Sequence, residues 1–108
     1  MFARVSVYEI PAARLDEALE QFRAALDEIS GLDGFHEAFF FLAPDDDRAT
    51  ATTFWTSRNA MEASRSVARG LRTKAAHAVD GGVVSAIEYE VGLDVTGAGP
   101  QPGPTASA

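Results

Sequence analysis

The order in which hydrophobic periodicities change along this chain restricts its fold more than any single residue does. Runs that alternate with the two-residue period of a strand fall at 2–10, 35–42, 48–55 and 83–93. Runs with helical spacing lie between the first and second of these and between the third and fourth. The order is therefore β-α-β-β-α-β within the first 93 residues, a split βαβ arrangement.

Each run carries its own punctuation. In the first strand Ala3, Val5 and Val7 share one face, and Phe2, Arg4, Ser6 and Tyr8 share the other. Pro11 ends it and suits a first helical turn. Leu15, Leu19, Phe22, Leu26 and Ile29, widened by Ala18 and Ala25, then form one helical stripe, with Gly31 expected at its C′ position. The second strand contains the consecutive run Phe39-Phe40-Phe41-Leu42, apolar on both faces. In the third, Ala49, Ala51, Thr53 and Trp55 face one way and Thr50, Thr52 and Phe54 the other. Ser57 is placed to cap a second helix from Arg58. Its expected buried stripe is Ala60, Ser64, Val67, Leu71, Ala75 and Ala78, with Glu62, Arg65, Arg69 and Arg72 opposite and a kink expected at Gly70. Asp80-Gly81-Gly82 turns into the last strand.

These elements predict an α+β, ferredoxin-like βαββαβ domain over residues 1–93, a four-stranded antiparallel sheet with two helices on one face. The stretch 94–108, rich in Gly, Pro, Ala, Ser and Thr, lacks the apolar surface to recover its ordering entropy and is expected to be a disordered tail. Two helices cover only one face of the sheet, yet both faces are apolar. Leaving the second face wet would expose on the order of several hundred Å² of contiguous apolar surface, more than soluble monomers usually tolerate. A second copy packed sheet on sheet removes the conflict, so a homodimer enclosing a barrel is expected.

Composition narrows the function classes. Sixteen acidic residues against nine Lys plus Arg give a formal charge of −7, which disfavours a phosphate backbone as partner, so no nucleic acid is expected. Without cysteine there is no disulfide, thiolate or iron–sulfur chemistry. No apolar run reaches the ~20 residues that span a bilayer, and the N-terminus has no signal-peptide layout, so a cytoplasmic protein without a membrane partner is expected. Asp45-Asp46-Asp47 reads as a solvated turn; three adjacent carboxylates point in different directions, and no metal site is expected.

Several segments carry a family resemblance: Ala3-Arg4-Val5-Ser6-Val7-Tyr8-Glu9, Gly31-Leu32-Asp33-Gly34-Phe35, Thr53-Phe54-Trp55-Thr56-Ser57-Arg58-Asn59-Ala60-Met61 and Val84-Ser85-Ala86-Ile87-Glu88-Tyr89-Glu90-Val91. Together they resemble the antibiotic biosynthesis monooxygenase (ABM) domains of the dimeric α/β-barrel superfamily. The resemblance implies one of two chemistries. Some relatives oxidise aromatic polyketide-type substrates without metal, flavin or haem. Others degrade haem, with an Asn on strand one, a Trp after strand three and a His on the second helix. This chain departs from both patterns. Strand one has no Asn, Ala51 stands where some aromatic-oxidising relatives carry a substrate-contacting Asn, and Met61 stands where they carry a Tyr.

The candidate pocket comprises Trp55, Tyr8, His77, Phe22 and Ala51. Trp55, with small neighbours on its face, could stack a flat aromatic ligand or anchor the core. His77, in Lys74-Ala75-Ala76-His77, resembles the haem-ligand region of the haem-degrading relatives, but the reading preferred is a partly exposed helix-terminal His whose protonated form the dipole favours. Arg4 and Tyr8 read either as groups that steer a phenolate or as rim residues whose polar ends snorkel to water. His36 is expected at the rim, and Glu88 and Glu90 are expected to be interface or edge charges. The expected activity is cofactor-independent oxygenation of a small aromatic or polyketide-like molecule. The alternatives are a non-catalytic dimeric ligand-binding module and, third, haem degradation. No residue is assigned a catalytic role from sequence.

Overall fold

The computed structural model describes residues 1–97. Four strands, β1 (Phe2–Glu9), β2 (Phe35–Ala43), β3 (Arg48–Trp55) and β4 (Gly82–Glu90), form one antiparallel sheet in the order β2-β3-β1-β4. Helix α1 (Leu15–Ile29) follows β1, and α2 (Arg58–Ala63) and α3 (Arg65–His77) follow β3. This is the expected ferredoxin-like α+β arrangement. Most of the expected tail, from residue 98 on, lies outside the described residues, and 94–97 have no regular structure.

The strand faces fall as the alternation predicts. Register pairs Phe2 with Trp55, Arg4 with Thr53, Ser6 with Ala51 and Tyr8 with Ala49, and this face lies under the helices. Two clusters fill the space beneath them. One gathers Tyr8, Ile10, Leu15, Ala18, Phe22, Ala49, Ala51, Ala75, Ala76 and Val79; the other gathers Ile29, Trp55, Met61 and Ala68. The opposite face carries Phe39, Phe41, Ile87 and Tyr89, all exposed.

The structure corrects the second helix. The break falls at Ser64, not at Gly70, which lies inside a continuous α3. Its cause is a side chain below: the Ser64 hydroxyl donates to the Met61 carbonyl at 2.6 Å, and Arg4 Nη2 donates to the same carbonyl at 2.8 Å. Hydroxyl and guanidinium thus hold a carbonyl at the turn where one helix stops and the next begins. The break rephases the buried stripe to Met61, Ser64, Ala68, Ala75 and Ala76, and leaves Val67 and Ala78 exposed. The end of α1 differs too. Ser30 closes it in the right-handed region, and the left-handed glycine is Gly34, at φ 78°. A Cβ on Gly34 would lie 2.3 Å from Ala60 Cβ, so the absent side chain lets β2 start against α2. Ser57 caps α2 as expected, accepting from the Ala60 N–H at 3.1 Å.

Candidate functional site

β1 supplies the polar floor of the site. Alternation sends Arg4, Ser6 and Tyr8 toward the helices, where a strand between two neighbours would ordinarily present apolar groups. Above them, between sheet and helices, lies a cavity of about 20 Å³ lined by these three residues with Phe22, Ala25, Leu26, Ile29, Ala51, Thr53, Ala68 and Arg72. That volume holds about one water molecule. Its wall is mainly apolar, with hydroxyls and guanidinium groups converging on one side.

Two grooves border the cavity. Between α1 and β2 runs a groove of about 540 Å³ lined by Leu19, Arg23, Leu26, Asp27, Ser30, Phe35, Ala38 and Phe40. Leu26 belongs to both spaces, and Phe22 of the cavity stacks on Phe40 of the groove with ring centroids 4.7 Å apart. Leu26 and the Phe22–Phe40 stack therefore form the partition. On the other side, between α3 and β4, lies a second groove, which shares Arg4 and Arg72 with the cavity.

Arg4 overturns the rim expectation. It is 4% exposed, and its guanidinium donates to Glu88 Oε2 at 2.8 Å, Ser64 Oγ at 3.1 Å and the Met61 carbonyl at 2.8 Å. Tyr8 is also buried rather than snorkelling; its ring lies 4.6 Å from that of Phe22. Burial raises the phenol above its ordinary value of 10.0, with Ser6 and the charges of Arg72 and Arg4 opposing. Glu88 lies on the edge strand β4 as expected, but it faces these arginines on the helix side and not the open sheet face. Hydrogen bonds from Arg65 and Arg4 overcome its partial desolvation and hold its carboxyl at about 2.

The structure brings Tyr8, Phe22 and Ala51 together on the cavity wall and leaves the other two candidates elsewhere. Trp55 is fully buried one layer behind; its indole N–H donates to Thr53 Oγ1 at 2.9 Å, and its ring meets Phe35 edge-on. It touches the cavity only through Thr53. His77 is exposed at the C-terminal end of α3 and does not line the cavity. Arg72 is the residue that sequence reasoning missed. Its position opposite the apolar stripe marks it as solvated, and only the Ser64 break shows that it reaches inward.

Asp47 has a structural part in the acidic turn. It adopts a left-handed φ of 51°, its Oδ1 accepts from the Ala12 N–H at 2.9 Å and its carbonyl from the Ile10 N–H at 2.9 Å. Among the described residues no group of three His, Asp or Glu is disposed to hold a metal ion. Haem fits poorly as well. Neither histidine lines the cavity, so no imidazole is placed there to ligate the iron. Among the described residues no helix is long and apolar enough to cross a membrane.

A four-stranded antiparallel sheet roofed on one side by helices, in this chain order, defines the ferredoxin-like class of α+β domain. Residues 1–76 match the antibiotic biosynthesis monooxygenase family, and the chain belongs to that family. Among solved structures it is similar to SnoaB, a cofactor-independent oxygenase from Streptomyces nogalater (TM-score 0.69, 13% identity, 87% of this chain and 95% of that one). It is also similar to MhuD, a haem-degrader from Mycobacterium tuberculosis whose structure holds two haems in its active site (TM-score 0.62, 24% identity, 89% and 100%). At these identities the likeness concerns the fold. An uncharacterised M. tuberculosis protein, Rv2557, is 28% identical over 91 residues, 83% of this chain. The chain spans only 41% of that relative's length.

Proposed function

We propose that this chain forms a homodimeric, cofactor-independent oxygenase that acts on a small aromatic or polyketide-like substrate between sheet and helices. One observation carries the reading: an apolar cavity into which a buried phenol, Tyr8, and two guanidinium groups, Arg4 and Arg72, converge. Cavities built this way bind flat apolar bodies and stabilise negative charge on them. The fold it shares with a cofactor-independent oxygenase accommodates such chemistry, as it accommodates haem in MhuD.

In this chemistry an acidic ring position of a hydroxyanthrone-type substrate loses a proton, and the electron-rich anion reduces O₂. One oxygen atom becomes the new carbonyl and the other leaves as water, so a CH₂ group becomes C=O without an external reductant. The chain's contribution is to orient the ring, hold the anion near Arg72 and Arg4, and exclude bulk water. Tyr8, Phe22 and Ala51 would touch the ligand, and Trp55 would position Thr53 from behind. A tricyclic guest exceeds this cavity, so Leu26 and the Phe22–Phe40 stack must swing aside toward the α1/β2 groove.

The homodimer is supported by the open sheet face, where Phe39, Phe41, Ile87 and Tyr89 remain exposed beside Phe54. Oxygen-electrode measurements with a hydroxyanthrone test the activity. Consumption of one O₂ per product, weakened at least tenfold in Tyr8→Phe or Arg72→Gln, is expected. Aromatic ligands that raise the melting temperature with no turnover would replace this reading with a non-catalytic binding module. A Soret shift on titration with haem would instead favour haem chemistry.

A further inference from the structure

We propose that the groove between α3 and β4 is an anion site that holds a carboxylate on the ligand whose aromatic part lies in the cavity. The inference rests on the proposed function in taking an aromatic guest, and it adds the substrate class, an aromatic carboxylic acid.

The groove, of about 370 Å³, is lined by Arg4, Arg65, Arg69, Arg72, Ala86, Ile87 and Glu88. Four of the nine basic residues of a chain with net charge −7 thus meet in one place. Glu88 is the one acid in the lining, and Glu62 beside the groove pairs with Arg65 at 3.6 Å, which leaves two positive charges in excess. Glu88 is also spoken for, accepting from Arg4 at 2.8 Å and from Arg65 Nη2 at 2.6 Å. Arg69 and Arg72 have no ion pair or side-chain hydrogen bond among the described residues.

Positions 65, 69 and 72 recur at the four- and three-residue spacing that stacks side chains on one helical face. Like charges so placed destabilise a helix, and the core beneath needs none of them. Arg72 is also partly desolvated, which, together with the charges of Arg4 and Arg69, lowers its proton affinity. An anion between Arg69 and Arg72 would relieve both costs. Arg72 lines the cavity and the groove together, so a ring in one and its carboxylate in the other would be adjacent. Ala86 gives the groove floor a small apolar surface against which an aryl edge can lie.

Fluorescence titration of the purified chain with anthracene-2-carboxylate and with its uncharged carboxamide separates the possibilities. The acid is expected to bind at least tenfold more tightly, with the preference lost in Arg72→Gln, reduced in Arg69→Gln and retained in Lys74→Gln, an exposed charge on the same helix. Equal binding of acid and amide overturns the anion site while leaving the aromatic site standing. Acid binding indifferent to both arginine substitutions also overturns it, as does failure of both compounds to bind. Arginine-dependent acid binding in a protein that consumes no O₂ with any aromatic substrate upholds the anion site and defeats the oxygenase reading.

Discussion

At the scale of single residues, Arg4 does two jobs that a sequence cannot separate. Its guanidinium ties β1 to β4 through Glu88, and it holds the carbonyl at which the second helical run breaks. Arg4→Met fits the space but leaves the Met61 carbonyl with one donor fewer. It should cost about 2 kcal/mol, read as a lower urea midpoint with an unchanged slope. Glu88 adds a pH signature. Its folded value of about 2 against an ordinary 4.5 means that the unfolded chain binds more protons between those limits. The stabilisation is therefore complete above pH 4.5 and is lost as pH falls toward 2. Thermal melts between pH 6 and pH 2 should show a decline that is shallower in Glu88→Gln, and an identical decline in both proteins would refute this assignment.

At the scale of elements, the contact between the starts of β2 and α2 depends on an absent atom. Gly34→Ala forces a left-handed φ on a side chain that collides with Ala60, and should cost about 2–3 kcal/mol. Adding Ala60→Gly should recover part of that loss, because the steric share disappears while the backbone share remains; calorimetry of the two proteins measures the split. The strands were legible in the sequence because alternation is a local property, and every face assignment in β1 and β3 holds. The helical stripe after β3 was less so. The break is fixed by Ser64 together with Arg4, sixty residues away, and the distant half leaves no local mark, whereas a glycine such as Gly70 is a conspicuous but idle suspect. The same blindness hid Arg72 from the site and put Trp55 and His77 into it. Residue type could nominate them, but only packing decides which reach the cavity.

At the scale of the whole molecule, the acidic surface, the arginine groove and the bare side of the sheet divide the exterior into three territories. The last of these is the strongest constraint. Phe41 is 55% exposed, and Phe39 stacks beside it with centroids 5.7 Å apart. The proposed homodimer predicts a particle of twice the 11.5 kDa chain mass by sedimentation. The double substitution Phe41→Asp and Ile87→Asp should reduce it to single chains, whereas a wild type already of one chain's mass would defeat the proposal. If association does cover those rings, folding and pairing draw on the same free energy. The melting temperature should then climb with protein concentration, and a sufficiently dilute sample should lose its structure with no change of solvent. The endurance of this domain would belong to a population of molecules rather than to any one of them.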